Sequence, residues 1–225
     1  TTFVALLLLS LQCLANDLNR SLQALESEWA AIYYTAPKNK QEAAYDELLT
    51  KANQLTAQFP DSTEPLFWQA VILAARAEQQ NGFSALSAIH KSRDLLQEAI
   101  KLNPQTANGS AYVTLATLYY MVPKWPIAFG DTEIAEKLFQ SALEINPNGI
   151  DTNYFYGDFL LTNDRADEAQ KYFEKALSIP SRTEQLFADN KLKDEVKLAL
   201  ANTKNRKING VKNALLSSFN SASLK

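Results

Sequence analysis

The sequence predicts an all-α fold in which antiparallel helix pairs stack into a solenoid, and three observations carry that expectation. An Ala-rich stretch runs into a proline three times: SRDLLQEAIKLNP ends at Pro104, AEKLFQSALEINP at Pro147 and EAQKYFEKALSIP at Pro180. Small and apolar residues in each stretch recur at i, i+4 and i+7, the spacing of one helical face. The 225-residue chain is 46% hydrophobic with only 6 glycines and 8 prolines, enough apolar matter for a core and too little turn chemistry for a hairpin-rich β fold.

The first fifteen residues, TTFVALLLLSLQCLA, are uncharged and almost wholly apolar. They fall short of the ~20 residues a spanning helix needs and end in Cys13-Leu14-Ala15, with small residues where a signal peptidase reads. Residues 1–15 are therefore expected to be a secretory signal, cut after Ala15 to leave a mature chain beginning Asn16-Asp17. The chain opens on Thr with no basic stretch before the apolar run, so this reading places the true start a few residues upstream. An N-terminal helix buried in the fold is the alternative, and an apolar surface all round suits that poorly. A lipid anchor on Cys13 is disfavoured because Gln12 stands where a small residue is wanted. Cys13 is the sole cysteine, so the mature chain has no thiol for a disulfide, a metal or a nucleophile.

Beyond the leader, helices are expected over 17–35, 40–58, 64–79, 84–102, 109–121, 131–145, 150–162, 166–178, 184–202 and 207–219. Cap chemistry marks several starts: Asn39 with Glu42, Asp61 with Glu64, Ser181 with Glu184, and Asp131 after Gly130. Residues 16–182 form the repeat domain, whose first 45 residues read as a degenerate pair with Trp29 against Ala43, Ala44, Leu48 and Leu49. Residues 183–225 are expected to be capping helices with a basic tail.

The clearest repeat is Asp151 to Pro180. Its first helix carries Tyr156-Gly157 and Leu160, a polar turn Asn163-Asp164-Arg165 follows, and the second helix carries Ala169, Phe173 and Ala176. The preceding copy gives Ala135, Phe139, Ala142 and then Pro147, and the one before it Ser92, Leu96, Ala99 and Pro104. This pattern resembles the tetratricopeptide repeat, whose small first-helix residue corresponds to Gly157, Ala116 and Ala70. The spacing departs from the family in two copies: Pro147 to Pro180 is 33 residues, close to the ~34-residue period, whereas Pro60 to Pro104 is 44 and Pro104 to Pro147 is 43. The extra residues are expected in surface loops within the pairs, at 77–90 and 121–131.

The second insertion, MVPKWPIAFGD, is the leading candidate for a binding element. Trp125, Ile127 and Phe129 lie between Pro123, Pro126 and Gly130, on a stiff segment that cannot continue a helix, and large aromatics anchor interfaces. The competing reading folds the loop back so that its rings plug the core. Tyr119 and Tyr120 before it, and Asn153, Tyr154 and Asp158 on the next first helix, complete the candidate site. The resemblance places Tyr154 and Asp158 on the concave side.

Catalytic chemistry is absent from the pattern. His90 is the single histidine, with Lys91 and Arg93 near it and no nucleophile or second imidazole, so it reads as a surface residue. No GxSxG, GxGxxG or Walker loop occurs, and Asp164, Asp167 and Glu168 read as capping charges. No cofactor and no metal are expected. From Asn190 onward eight Lys/Arg face two acids, a tail of +6 on a body of −9. That tail suits a solubilising terminal cap, and the acidic balance disfavours nucleic acid.

The run Pro123 to Leu161 is similar to exported bacterial tetratricopeptide proteins and, more loosely, to the T component associated with TRAP-type solute transporters. That resemblance implies work beside a periplasmic solute-binding protein, often as an oligomer. The expected function is a non-catalytic periplasmic scaffold for a protein or peptide partner, touching membrane only through its signal segment. The alternative is a small-molecule or lipid carrier with an apolar cavity.

Overall fold

The computed structural model describes residues 2–204, with side chains from residue 15 to 203. Among these residues it is all-α. Helices α1 (Thr2–Thr35), α2 (Lys38–Gln58), α3 (Glu64–Ala77), α4 (Gly82–Leu102), α5 (Ser110–Met121), α6 (Thr132–Ile145), α7 (Ile150–Thr162), α8 (Ala166–Ser178) and α9 (Leu186–Lys204) are joined by short connections, with 3-10 turns at Thr106–Gly109 and Thr183–Gln185. Sequential helices pack as pairs, α3 on α4, α5 on α6 and α7 on α8. The odd-numbered helices form an inner layer in which α1 touches α3, α5 touches α7, and α7 touches α9.

The repeat positions lie where the pattern requires. Ala116, Ala135, Phe139, Ala142, Ala169, Phe173 and Ala176 are completely buried. Gly157 is where α7 meets α8: a Cβ there would stand 2.7 Å from Phe173 Cε1. In the first regular pair the equivalent contact is made by a serine, whose Ser92 Oγ donates to the Ala70 carbonyl at 2.7 Å, so a hydrogen bond joins the two helices there. The turn after α7 is a Schellman-type stop: Asp164 is left-handed at φ 61°, and Arg165 N donates to Leu160 O at 2.9 Å. Pro147 follows the end of α6 at Ile145, and its carbonyl accepts from Asn153 Nδ2 at 3.0 Å.

Several expectations are corrected. Residues 77–90 do not form an inserted loop: after a four-residue connection, the extra residues lengthen α4 to 21 residues against 13 in α8. Ala85, Ala88 and Ile89, all buried, supply the apolar face that starts the helix early. Asn39 lies inside α2, which starts after Pro37. Gln41 instead serves the preceding helix, where its Nε2 donates to Ile32 O at 3.1 Å and Ala36 O at 3.2 Å and closes the C-terminus of α1. Thr63, not Asp61, occupies the N-cap of α3, and its hydroxyl is held by Thr106 Oγ1 at 2.6 Å. Ser181 does not cap the last helix; it donates to Asn190 Oδ1 at 2.9 Å, and Asp189 accepts from Arg182 N at 2.7 Å. Trp29 does share one core with Leu48 and Leu49 of α2, and its ring also stacks on Tyr33 with centroids 5.1 Å apart and meets Trp68 of α3 at 6.1 Å.

Helix α1 runs unbroken through the segment read as a leader. Its later turns reach residues 182–189. Arg182 bridges Glu26 at 2.6 Å and Asp189 at 2.7 Å, and the Tyr34 and Phe187 rings meet edge-on at 6.3 Å. Among the described residues, the first inner helix therefore packs on α9. The expected helix at 207–219 and most of the basic tail lie outside the described residues.

Gly157→Leu is expected to overpack the contact with Phe173 and to cost about 1–3 kcal/mol or more. Thermal unfolding followed by circular dichroism measures it; an unchanged midpoint would mean that α7 and α8 do not meet there.

Candidate functional site

Six of the candidate residues separate into two groups. Trp125 and Phe129 belong to the loop that joins α5 to α6, with Tyr119 at its base, while Tyr120, Tyr154 and Asp158 face inward. The loop is a closed structure. Gly130 N donates to Pro123 O at 2.9 Å and Asp131 N to Tyr119 O at 2.8 Å, tying the two sides of the loop together. A Cβ at Gly130 would overlap the Val122 carbonyl oxygen, so only glycine allows this closure. Asp131 then caps α6 as expected, its carboxylate accepting from Glu133 N at 2.9 Å and Ile134 N at 3.0 Å.

Within the loop the two competing readings apply to different rings. Phe129 is half-buried and plugs a gap: its ring meets Tyr119 and His90, each at 5.2 Å, and Arg93 sits 4.7 Å above its face. His90 is accordingly a half-buried residue in the middle of α4 and not a solvated one. Trp125 points the other way, 86% exposed, with Ile127 two residues on 48% exposed. An indole held in water by a braced loop is the arrangement that anchors interfaces.

The inward group is polar and aromatic. Tyr120 Oη donates to Asp158 at 2.5 Å, and burial with the Asp158 charge holds the Tyr120 hydroxyl well above its ordinary pKa. Tyr154 is fully buried; burial raises its pKa most, with Glu195, Asp158, Tyr33 and Tyr34 close enough to add to the effect. Two carboxylates that sequence reasoning passed over belong here. Burial pushes Glu195 of α9 up to about 7, Tyr154 pulling it down and Asp158 pushing it up. Burial likewise pushes Glu78, at the end of α3, up to about 7 against the pull of Lys38, and Glu195 raises it further. The adjacent tyrosines Tyr33-Tyr34 are the one sequence signal for this cluster.

Away from these groups, a depression between α1 and α2 is lined by Ser21, Glu28, Lys51 and Gln54 among others, with Lys51 paired to Glu28 at 2.6 Å. Among the described residues, no group of three His, Cys, Asp or Glu could hold a metal, and no helix is long and apolar enough to cross a membrane.

Paired helices meeting through small residues, with the pairs stacked in one direction, define a helix-pair repeat protein. The kind of repeat is given by comparison: residues 127–180 match the tetratricopeptide repeat family, a stretch that takes in α6, α7 and α8. No curated protein matches the chain. Repeats of this family serve as protein–protein interaction modules.

Glu78 and Glu195 set a pH dependence. Their folded pKa values, about 7, exceed the ordinary carboxylate value of 4.5, so the folded state holds protons that the unfolded state has released. Stability from these groups is full below about 4.5 and declines as pH rises through 7. Glu195→Gln should therefore stabilise at pH 8 by on the order of 1 kcal/mol and leave stability near pH 4 almost unchanged, as melts at the two pH values would show.

Proposed function

We propose that the protein is an exported, non-catalytic scaffold that holds a protein partner, with Trp125 and Ile127 as the first contact. The observation that carries this reading is the exposure of Trp125 on a loop braced from beneath by Phe129 and Asp131. A rigid loop presents its aromatic anchor without an ordering cost on binding. The tetratricopeptide match supports a scaffold over an enzyme. Export rests on the apolar, uncharged segment at residues 1–15, and the resemblance of Pro123–Leu161 to exported bacterial repeat proteins suggests a periplasmic solute-binding protein or transporter subunit as partner. The carrier reading has no observation of its own to favour it.

A photo-crosslinking residue placed at Ile127 is expected to trap one discrete partner in living cells, and Trp125→Ala should reduce that product at least about tenfold. The same product at full yield from Trp125→Ala would remove the loop from the interface. Fractionation of the same cells should place the protein outside the cytoplasm; recovery with cytosolic markers would overturn export.

A further inference from the structure

The inner layer contains a second feature that the loop does not use. Along α1, Trp29 stacks on Tyr33 at 5.1 Å and Tyr33 meets Tyr34 edge-on at 4.9 Å, a continuous aromatic wall. Tyr45 of α2 and Tyr154 of α7 are both completely buried. The Tyr45 hydroxyl, which can accept as well as donate, is enclosed with no hydrogen-bond partner. Buried polar groups in a folded core are almost always satisfied, so unpartnered ones mark a place where something polar is meant to sit. Carboxylates border the wall from two sides: Glu78 stands by Tyr33 and Tyr45, and Glu195 by Tyr33, Tyr34 and Tyr154. Both are half-buried, so the cluster is open to solvent at its carboxylate edge.

Charge decides what fits. The groups facing one another are Tyr33 and Tyr34 from α1, Lys38 and Tyr45 from α2, Glu78 from α3, Tyr120 from α5, Tyr154 and Asp158 from α7, and Glu195 from α9, with Asp189 of α9 at the border in an ion-paired set with Arg182 and Glu26. Glu78, Asp158 and Glu195 face the single ammonium of Lys38, which reaches Gln41 Oε1 at 3.4 Å, while Asp189 is paired with Arg182 at 2.7 Å. Aromatic faces beside desolvated carboxylates are the recognition chemistry of organic cations.

We propose that the cluster bounded by Trp29, Tyr33, Tyr45, Glu78, Tyr154 and Glu195 is a binding site for an organic ammonium, supplied either by a lysine side chain of a partner or by a free aliphatic amine. The cation sits against the tyrosine wall between the two carboxylates. It supplies a counter-charge to two acids that burial holds at about 7, so binding displaces protons and strengthens as pH rises through that value. This site does not depend on the Trp125 loop, and either can fail alone.

Calorimetric titration of the purified protein with spermidine, with acetyl-Gly-Lys-Gly-amide and with its norleucine counterpart tests the proposal. At pH 8 at least one of the two cations should bind, about tenfold or more tighter than the norleucine peptide, and weaken about tenfold at pH 6. Binding by the lysine peptide alone assigns the site to a partner side chain, and binding by spermidine alone to a free amine. Glu78→Gln with Glu195→Gln should abolish binding while raising the melting temperature, which separates lost recognition from lost folding. Lys38→Ala should tighten binding by removing the competing charge, and Trp125→Ala should leave it unchanged. No heat with either cation, equal binding of the norleucine peptide, or undiminished binding by the double Gln variant would overturn the proposal.

Discussion

The close approach of the two helices within each pair is the constraint on which the architecture depends. Gly157 against Phe173, Ala116 in one core with Phe139, and Ser92 on the Ala70 carbonyl are three chemical solutions to one steric requirement. Only when the backbones come this near do the ring of one helix and the small residues of the other close the groove between them. A helix pair so formed still exposes apolar surface on its flanks, which the next pair covers. The direction of stacking, the inner layer of odd-numbered helices and the position of the α5–α6 loop all follow from that requirement.

The repeat was legible in the sequence because its signal is redundant. Ala135, Phe139 and Ala142 repeat as Ala169, Phe173 and Ala176, and each set carries the 3.6-residue period with a proline behind it. Helix ends were less legible because capping residues serve alternative partners. Gln41 binds carbonyls of the preceding helix, and the Thr63 hydroxyl is claimed by Thr106, 43 residues away. Neither choice has a local pattern. The extra residues before His90 read as a loop because their number was compared with a standard repeat, while the apolar spacing through Ala85, Ala88 and Ile89 already continued the helix.

The candidate site was legible in part for the same reason. A Trp between two prolines stands out in one short window, and so does the glycine that closes the loop after it. Which of Trp125 and Phe129 faces water depends on His90 and Arg93 of α4, which the chain brings near only after folding. The inward cluster draws on residues from 33 to 195, so no window contains it. Glu195 in particular sits among Lys191, Lys193 and Lys197 and reads as one more charge on a solvated tail. Burial of its carboxylate is a property of helix packing, not of its neighbours in sequence.

The ion bridge from Arg182 to Glu26, with Gln185 reaching the Gln23 carbonyl at 3.4 Å, joins residues 156 and 162 positions apart. Open repeat arrays grow by nearest-neighbour contacts, so a ribosome can release them one stable unit at a time. Here α1 meets α9 only when residues 182–204 have been made. Its aromatic face is left without that cover during synthesis, and the final closure carries the loop-entropy penalty of a long-range contact. The contact between α1 and α9 is thus one that stacking of neighbouring pairs does not supply, and it ties together parts of the array that a purely linear stack would leave apart.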